Sequence, residues 1–281
     1  MYKLISKLFA RSLGLYFNLT SLFVPKKTAK KAFVLFCTPR KGKVIKGQKG
    51  FLEDAKDLIL EEGDNSIQTY RWKGTGPTLL LMHGWESNTF RWRNFIPRLQ
   101  KENYNIIAMD APAHGNSSGA ILNVPLYTSC AQKVINTYNP QFIIGHSIGG
   151  MTLLYNLFKH AKHNEKVHKV VTLGSPSELS DFMRQYKNIL GLNGRMMQLL
   201  EDYFINTFGF RFAEFSSSKF VKDITKKGLL IHDELDVIAP YWSSEQVHAN
   251  WKGSKLVTTK GLGHSLHQDK VRDQIVDFLK S

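Results

Sequence analysis

Short apolar runs recur along the chain, each giving way to polar or glycine-rich residues. They fall at 78–82, 105–109, 141–144, 169–173, 228–231 and 255–257. Upstream, residues 57–60 and 67–72 read as two strands joined by a tight turn at Gly63-Asp64-Asn65. Segments with helical periodicity separate most of the runs, among them 89–101, 124–138, 151–159 and 270–280. Runs that are apolar throughout, rather than alternating, mark strands whose parallel sheet is covered by helices on both faces. The pattern predicts an α/β domain assembled from βαβ units. In such a sheet ligands bind beyond the carboxyl ends of the strands, so chemistry is expected just after each run.

One interval breaks the rhythm. Between the runs at 169–173 and 228–231 there is no strand signal, only helical segments rich in large apolar side chains such as Phe182, Met183, Tyr186, Leu190, Met196 and Phe204. A helical cap over residues 176–226, inserted into an α/β domain spanning 51–281, accounts for this. Residues 1–50 form a separate basic, helical extension. Within it Leu4, Ile5, Leu8, Phe9, Leu13 and Phe17 recur at near-helical spacing, with Lys3, Lys7 and Arg11 between them on the other face.

Charge sharpens the division. The net charge of the 281 residues is +15, yet the first fifty hold twelve Lys or Arg and no Asp or Glu. The rest carries 26 basic against 23 acidic residues, so the body is close to neutral. A nucleic-acid-binding body would carry the charge itself, and that class is set aside. A basic amphipathic helix can lie among anionic headgroups, or it can pack on the body with its charges solvated; residues 1–24 allow both. No stretch reaches the roughly 18–20 apolar residues that span a bilayer, and Lys7 and Arg11 interrupt any signal-peptide core. Two cysteines, Cys37 and Cys130, suggest no disulfide framework and fit a reducing compartment. The expectation is a cytoplasmic protein, at most peripheral at the inner face of the membrane, whose oligomeric state the sequence leaves open.

The central motif is Gly145-His146-Ser147-Ile148-Gly149, placed between an apolar run and a helical segment. A G-x-S-x-G turn in this setting is a nucleophile elbow: it forces the serine into a strained conformation and exposes its hydroxyl above the sheet. Such a hydroxyl needs a base. His264, in Gly263-His264-Ser265 after the last run, is the candidate, with His267 its main competitor and expected at the surface. The imidazole in turn needs a carboxylate. Asp236 is favoured, because an apolar pair and Pro240 follow it; Asp233 and Glu234 are expected to face solvent, and Glu178 or Asp181 is a weaker alternative. Oxyanion donors would be the N–H groups of Ile148 and Trp85. His83, Gly84 and His146 near the serine, and Phe182, Met183 and Tyr186 from the insertion, are expected to face substrate. Asp110 and His114 lack a third partner for a metal and more simply hold a loop by hydrogen bonds. No metal and no cofactor is expected.

Taken together, His83-Gly84-Trp85, the loop 110–117, Gly145–Gly149, Asp236 before Pro240 and Gly263-His264 resemble the α/β-hydrolase superfamily from about residue 57 onward. The resemblance implies an eight-stranded, mostly parallel sheet, a cap after the sixth strand and an acyl-enzyme mechanism without cofactor. Pro112 and Ala113 depart from the superfamily's usual loop, and residues 1–50 have no counterpart in its common core. Enzymes of this type that open epoxides or remove halogens place Asp where Ser147 stands, and the apolar insertion argues for a small-molecule ester with a hydrophobic part as the expected substrate. A thioesterase, an acyltransferase or a binding protein that keeps the pocket uses the same constellation.

Overall fold

A computed structural model describes residues 2–281, with side chains from Lys7 onward. The chain divides into two compact units: residues 39–177 with 217–281, and residues 1–38 with 178–216.

The larger unit is built on eight strands: β1 (Lys56–Glu62), β2 (Asn65–Trp72), β3 (Thr78–Met82), β4 (Asn105–Met109), β5 (Phe142–His146), β6 (Lys169–Leu173), β7 (Lys227–Asp233) and β8 (Ser254–Thr259). Their order across the sheet is β1-β2-β4-β3-β5-β6-β7-β8, and only β2 runs against its neighbours. The runs at 78–82, 105–109 and 169–173 coincide with β3, β4 and β6. Burial on both faces explains why they read as continuous. Leu79 and Leu81 of β3 join one core cluster, while Leu80 and Met82 join the cluster on the opposite face.

The segment 89–101 is not one helix. A 3-10 turn at Thr89–Trp92 precedes a short helix over Ile96–Lys101, with Pro97 in its first turn. Proline lacks the N–H an interior helical position needs and fits only near the start, so the helix begins again there. The body also takes up residues 39–55: Leu52 is buried in one core cluster, and Lys43 pairs with Gly115 in an isolated bridge. On the same face of the sheet, the Lys169 ammonium is buried and donates to the carbonyls of Phe278 and Leu279, at the end of the helix Asp269–Lys280.

The smaller unit contains α1 (Tyr2–Thr20), α2 (Pro25–Phe36), α3 (Leu179–Leu190) and α4 (Gly194–Phe208). The N-terminal helices are therefore no separate extension; they share a unit with the inserted helices, and the boundaries are 38 and 178–216 rather than 50 and 176–226. α1 docks on α3 by backbone shape: a Cβ at Gly14 would come within 1.8 Å of the Leu190 carbonyl oxygen. The Asn18 side chain then donates to Gly191 O and accepts from Asn193 N–H, both at 3.0 Å, bridging the α3–α4 turn. α2 docks on α4 through Phe33, whose ring lies 5.2 Å from Tyr203 and 5.8 Å from Phe208.

The face that α1 buries is not the one its periodicity suggests. Gly14 and Phe17 are buried, whereas Leu8 and Phe9, expected on the same face as Phe17, point outward. The side chains of Lys3, Leu4 and Ile5 lie outside the described residues.

Candidate active site

β5 ends at His146, and the helix α5 (Ile148–Lys159) begins two residues later. Ser147 makes the turn between them with φ 54° and ψ −124°, a region that L-residues occupy only under constraint. The glycines of the motif are steric requirements. A Cβ at Gly145 would meet the backbone of Gly149 and Gly150 at 2.6 Å, and one at Gly149 would meet the His83 carbonyl at 2.5 Å. Ser147 N–H is fixed on the Leu173 carbonyl, and its side chain sits at the positive end of α5.

Asp236 and His264 meet at the end of β6. His264 Nδ1 lies 2.7 Å from Asp236 Oδ2, and both pack against Gly174, where a Cβ would come within 3.3 Å of either. The other carboxylate oxygen accepts the N–H groups of Ile238 and Ala239. Burial works to raise the Asp236 carboxyl, but hydrogen bonds from His232, His264 and these two N–H groups hold it well below the usual carboxylate range. His232 was not foreseen in the sequence. It is fully buried, its Nδ1 is 2.6 Å from Ser244 Oγ, and its Nε2 faces both Ala239 O and, at 3.3 Å, Asp236. Its only signal was its place at the end of an apolar run.

Asp233 departs from expectation. It is fully buried rather than solvent-facing, and it accepts from Leu235, Gly261 and Leu262 N–H and from the Thr259 hydroxyl. It thus fixes the loop that carries His264 from a neighbouring strand. Glu234 and His267 are exposed, as expected.

On the other side of the serine, Gly84 is pressed against it: a Cβ there would come within 2.9 Å of both Ser147 Cβ and His146 Nδ1. The Trp85 N–H has no acceptor among the described residues, and Ile148 N–H, the first of α5, has none within its helix. His83 is not a substrate-facing group. Its ring is fully buried between the Gly84 carbonyl and Ala111 N–H, and burial lowers its pKa to about 3. His146 is also buried, with Nε2 on the His264 carbonyl at 2.9 Å, so it supports the imidazole loop instead of facing outward. Asp110 and His114 brace the loop as the sequence suggested: Asp110 accepts from Thr89 and Asn116 N–H and from Tyr70, and His114 Nε2 accepts from Glu86 N–H.

Tyr186 is not turned to a substrate. Its hydroxyl donates to the Ala32 carbonyl and its ring packs on Phe36, within the helical unit. Met183 is buried and Phe182 half-buried on the same helix. Among the described residues no group of three or more His, Cys, Asp or Glu side chains could hold a metal. Cys37 and Cys130 are free and buried, and burial pushes both thiols up to about 12, too high for nucleophiles at neutral pH.

Two surface features border this site. Leu235, Val237 and Ile238, around Asp236, are exposed, Val237 to 92%. Beside Glu86 and Ser265 opens a cleft of about 660 Å³ lined by Arg40, Lys41, Lys43, Arg91, Arg93 and His267.

A serine on a strained strand-to-helix turn, beside a carboxylate-bound histidine on an eight-stranded sheet, defines the class of α/β-fold hydrolases. The comparisons agree. Residues 77–197 match the family described as the alpha/beta hydrolase fold, and residues 213–281 match a family described as TAP-like protein. A Bacillus subtilis protein described as uncharacterized hydrolase YugF is 25% identical over 248 residues, covering 72% of this chain and 90% of that one. Pimeloyl-[acyl-carrier protein] methyl ester esterase of Vibrio vulnificus is 31% identical over 107 residues, which span 38% of this chain and 40% of the enzyme. In structure, an esterase from Exiguobacterium antarcticum superposes with a TM-score of 0.63 at 19% identity, covering 80% of this chain and all of that one. The chain belongs to the α/β-hydrolase superfamily, and its relatives support hydrolase activity in general. No helix among the described residues is long and apolar enough to cross a membrane.

Proposed function

We propose that the protein is a serine esterase acting through an acyl-enzyme. The observation that carries this reading is the 2.7 Å contact of Asp236 with His264 on the same strand ends as the strained Ser147 turn. Ser147 Oγ attacks the ester carbonyl as His264 Nε2 takes its proton. Asp236 fixes the imidazole tautomer, because Nδ1–H must donate to the carboxylate, leaving Nε2 free to accept. The N–H groups of Trp85 and Ile148 receive the developing oxyanion. His264 protonates the leaving alcohol, then activates the water that releases the acid. The exposed Leu235, Val237 and Ile238 favour a substrate with a hydrophobic part.

The test is covalent labelling with a fluorophosphonate probe, alongside turnover of p-nitrophenyl esters of increasing chain length. Labelling and turnover that disappear in Ser147→Ala and His264→Ala are the expected result. Folded wild-type protein that neither labels nor turns over any ester overturns the reading in favour of a binding protein.

A further inference from the structure

We infer that the cleft beside the active site binds an anionic group, a carboxylate or phosphate, carried by the substrate at a distance from its ester. The inference rests on the esterase reading for the role of the substrate, but the charge imbalance in the cleft is independent of it. Five Lys or Arg side chains line the cleft against one carboxylate, Glu86, whose Oε1 already accepts the Arg40 N–H at 2.8 Å. Among the described residues, none of the five forms an ion pair.

Arg91 and Arg93 are held in place without being neutralised. The Arg91 guanidinium lies 5.0 Å over the Trp92 ring and donates to Ser265 O, while its buried Nε has no partner. Arg93 lies 4.6 Å over the Phe90 ring. Burial, and then the neighbouring Arg93, lower Arg91 to about 9, so like charges crowd here without a counter-ion. Planar guanidinium groups supported on ring faces suit bidentate recognition of carboxylate or phosphate. Ser265 adjoins His264 and Glu86 adjoins Trp85, so the cleft borders the loops that carry the base and the oxyanion donor, and a substrate reacting at Ser147 can extend into it.

Calorimetry on Ser147→Ala protein reads the cleft without turnover. The ligands are three p-nitrophenyl esters of equal length ending in a carboxylate, a phosphate or a neutral amide. Both charged esters should bind at least about tenfold more tightly than the amide, and the gap should close when Arg93→Ala is added. A preference confined to one charged ester identifies the anion. Equal binding of charged and neutral esters overturns the inference, whatever the turnover assays show about Ser147.

A second surface, in the helical unit, is carried by different observations. The geometry points to α1 and the following turn as a docking surface for an anionic membrane. On the side of α1 away from Gly14 and Phe17 lie Leu8, Phe9, Leu15 and Tyr16, and Leu22 and Phe23 follow in the turn after the helix. All six are exposed, Phe23 to 82%. An apolar surface of this continuity is unusual on a protein that meets only water. On α2, Thr28, Ala29 and Phe33 are buried while Lys26, Lys27, Lys30 and Lys31 face outward. Apolar side chains flanked by lysines, with no acidic residue in the first fifty positions, complement anionic headgroups. A second copy of the chain fits less well, because its lysines would oppose these.

Vesicle co-sedimentation of the whole protein tests this, with neutral phosphatidylcholine against the same lipid carrying phosphatidylglycerol. Binding should require the anionic lipid and weaken at least about tenfold in Phe9→Ser/Phe23→Ser and when the four α2 lysines become Gln. These exposed positions leave the fold intact, which circular dichroism checks. Wild-type protein that stays in the supernatant with anionic vesicles overturns the proposal. So does a dimer in light scattering that Phe9→Ser/Phe23→Ser converts to monomer without changing vesicle binding.

Discussion

Asp236 Oδ2 lies 2.7 Å from His264 Nδ1 while its Oδ1 accepts two backbone N–H groups, so the carboxylate is aimed as well as charged. Asparagine at 236 would keep the size but offer an amide N–H toward His264 in one orientation and lose the charge in both. Asp236→Asn should lower kcat for a p-nitrophenyl ester about 10³- to 10⁴-fold with little change in KM. Steady-state kinetics on protein of unchanged circular dichroism checks this.

The strain at Ser147 predicts a trade between stability and activity. Its φ of 54° and ψ of −124° suit glycine better than serine. Ser147→Gly should therefore abolish ester turnover yet raise stability by about 1 kcal/mol, or roughly 2–4 °C in Tm. A Tm below that of the wild type would show that the hydroxyl's contacts outweigh the backbone strain.

The buried histidines set an acid limit. His83 has its pKa lowered to about 3, first by burial, while in the unfolded chain it titrates near 6.5. Below pH 6.5 the unfolded state therefore binds the extra proton, and stability falls as pH falls toward 3. At pH 5 the His83 contribution alone is a loss of about 2 kcal/mol. His146, held well below its usual value by burial and then by Arg91, acts in the same direction. The two aspartates with lowered values, Asp233 and Asp236, add losses only below about pH 4. Urea denaturation at pH 7, 6 and 5 reads the slope; a midpoint constant over that range would contradict it.

Lys169 holds two terminal carbonyls of the last helix from inside the protein, and its ammonium rests 5.6 Å from the Phe278 ring. Lys169→Met retains much of the packing but leaves both carbonyls without their donor. A loss of about 1–3 kcal/mol is expected, seen as a lower urea midpoint and faster amide exchange in the C-terminal helix.

The parts of this fold that could be read in the sequence are those where one physical cause dominates. β3, β4 and β6 are buried on both faces, so hydropathy alone marks their ends. β7 extends past its apolar run because His232 and Asp233 are polar yet buried, each satisfied by partners brought from elsewhere in the chain. No local pattern shows that satisfaction, which is why Asp233 reads as solvent-facing and His232 escapes notice. The Ser147 turn was legible because its glycines answer to nearby backbone. Pro97 restarts the helix within 89–101, but periodicity on both sides of it conceals the break. For α1, the sequence shows an apolar face at near-helical spacing and gives no means of telling which of its residues find a partner; Gly14 and Asn18 decide that through contacts more than 170 residues away.

The manner of that docking has a consequence for how the protein responds to ionic strength. α1 is held by a close backbone approach and by neutral amide hydrogen bonds, neither of which added salt screens. The lysines of α2, by contrast, are exposed charges whose attraction to a surface fades within a Debye length of about 8 Å at physiological ionic strength. Salt should thus act selectively, screening the α2 lysines from any charged surface while the contacts that hold α1 in the four-helix unit persist.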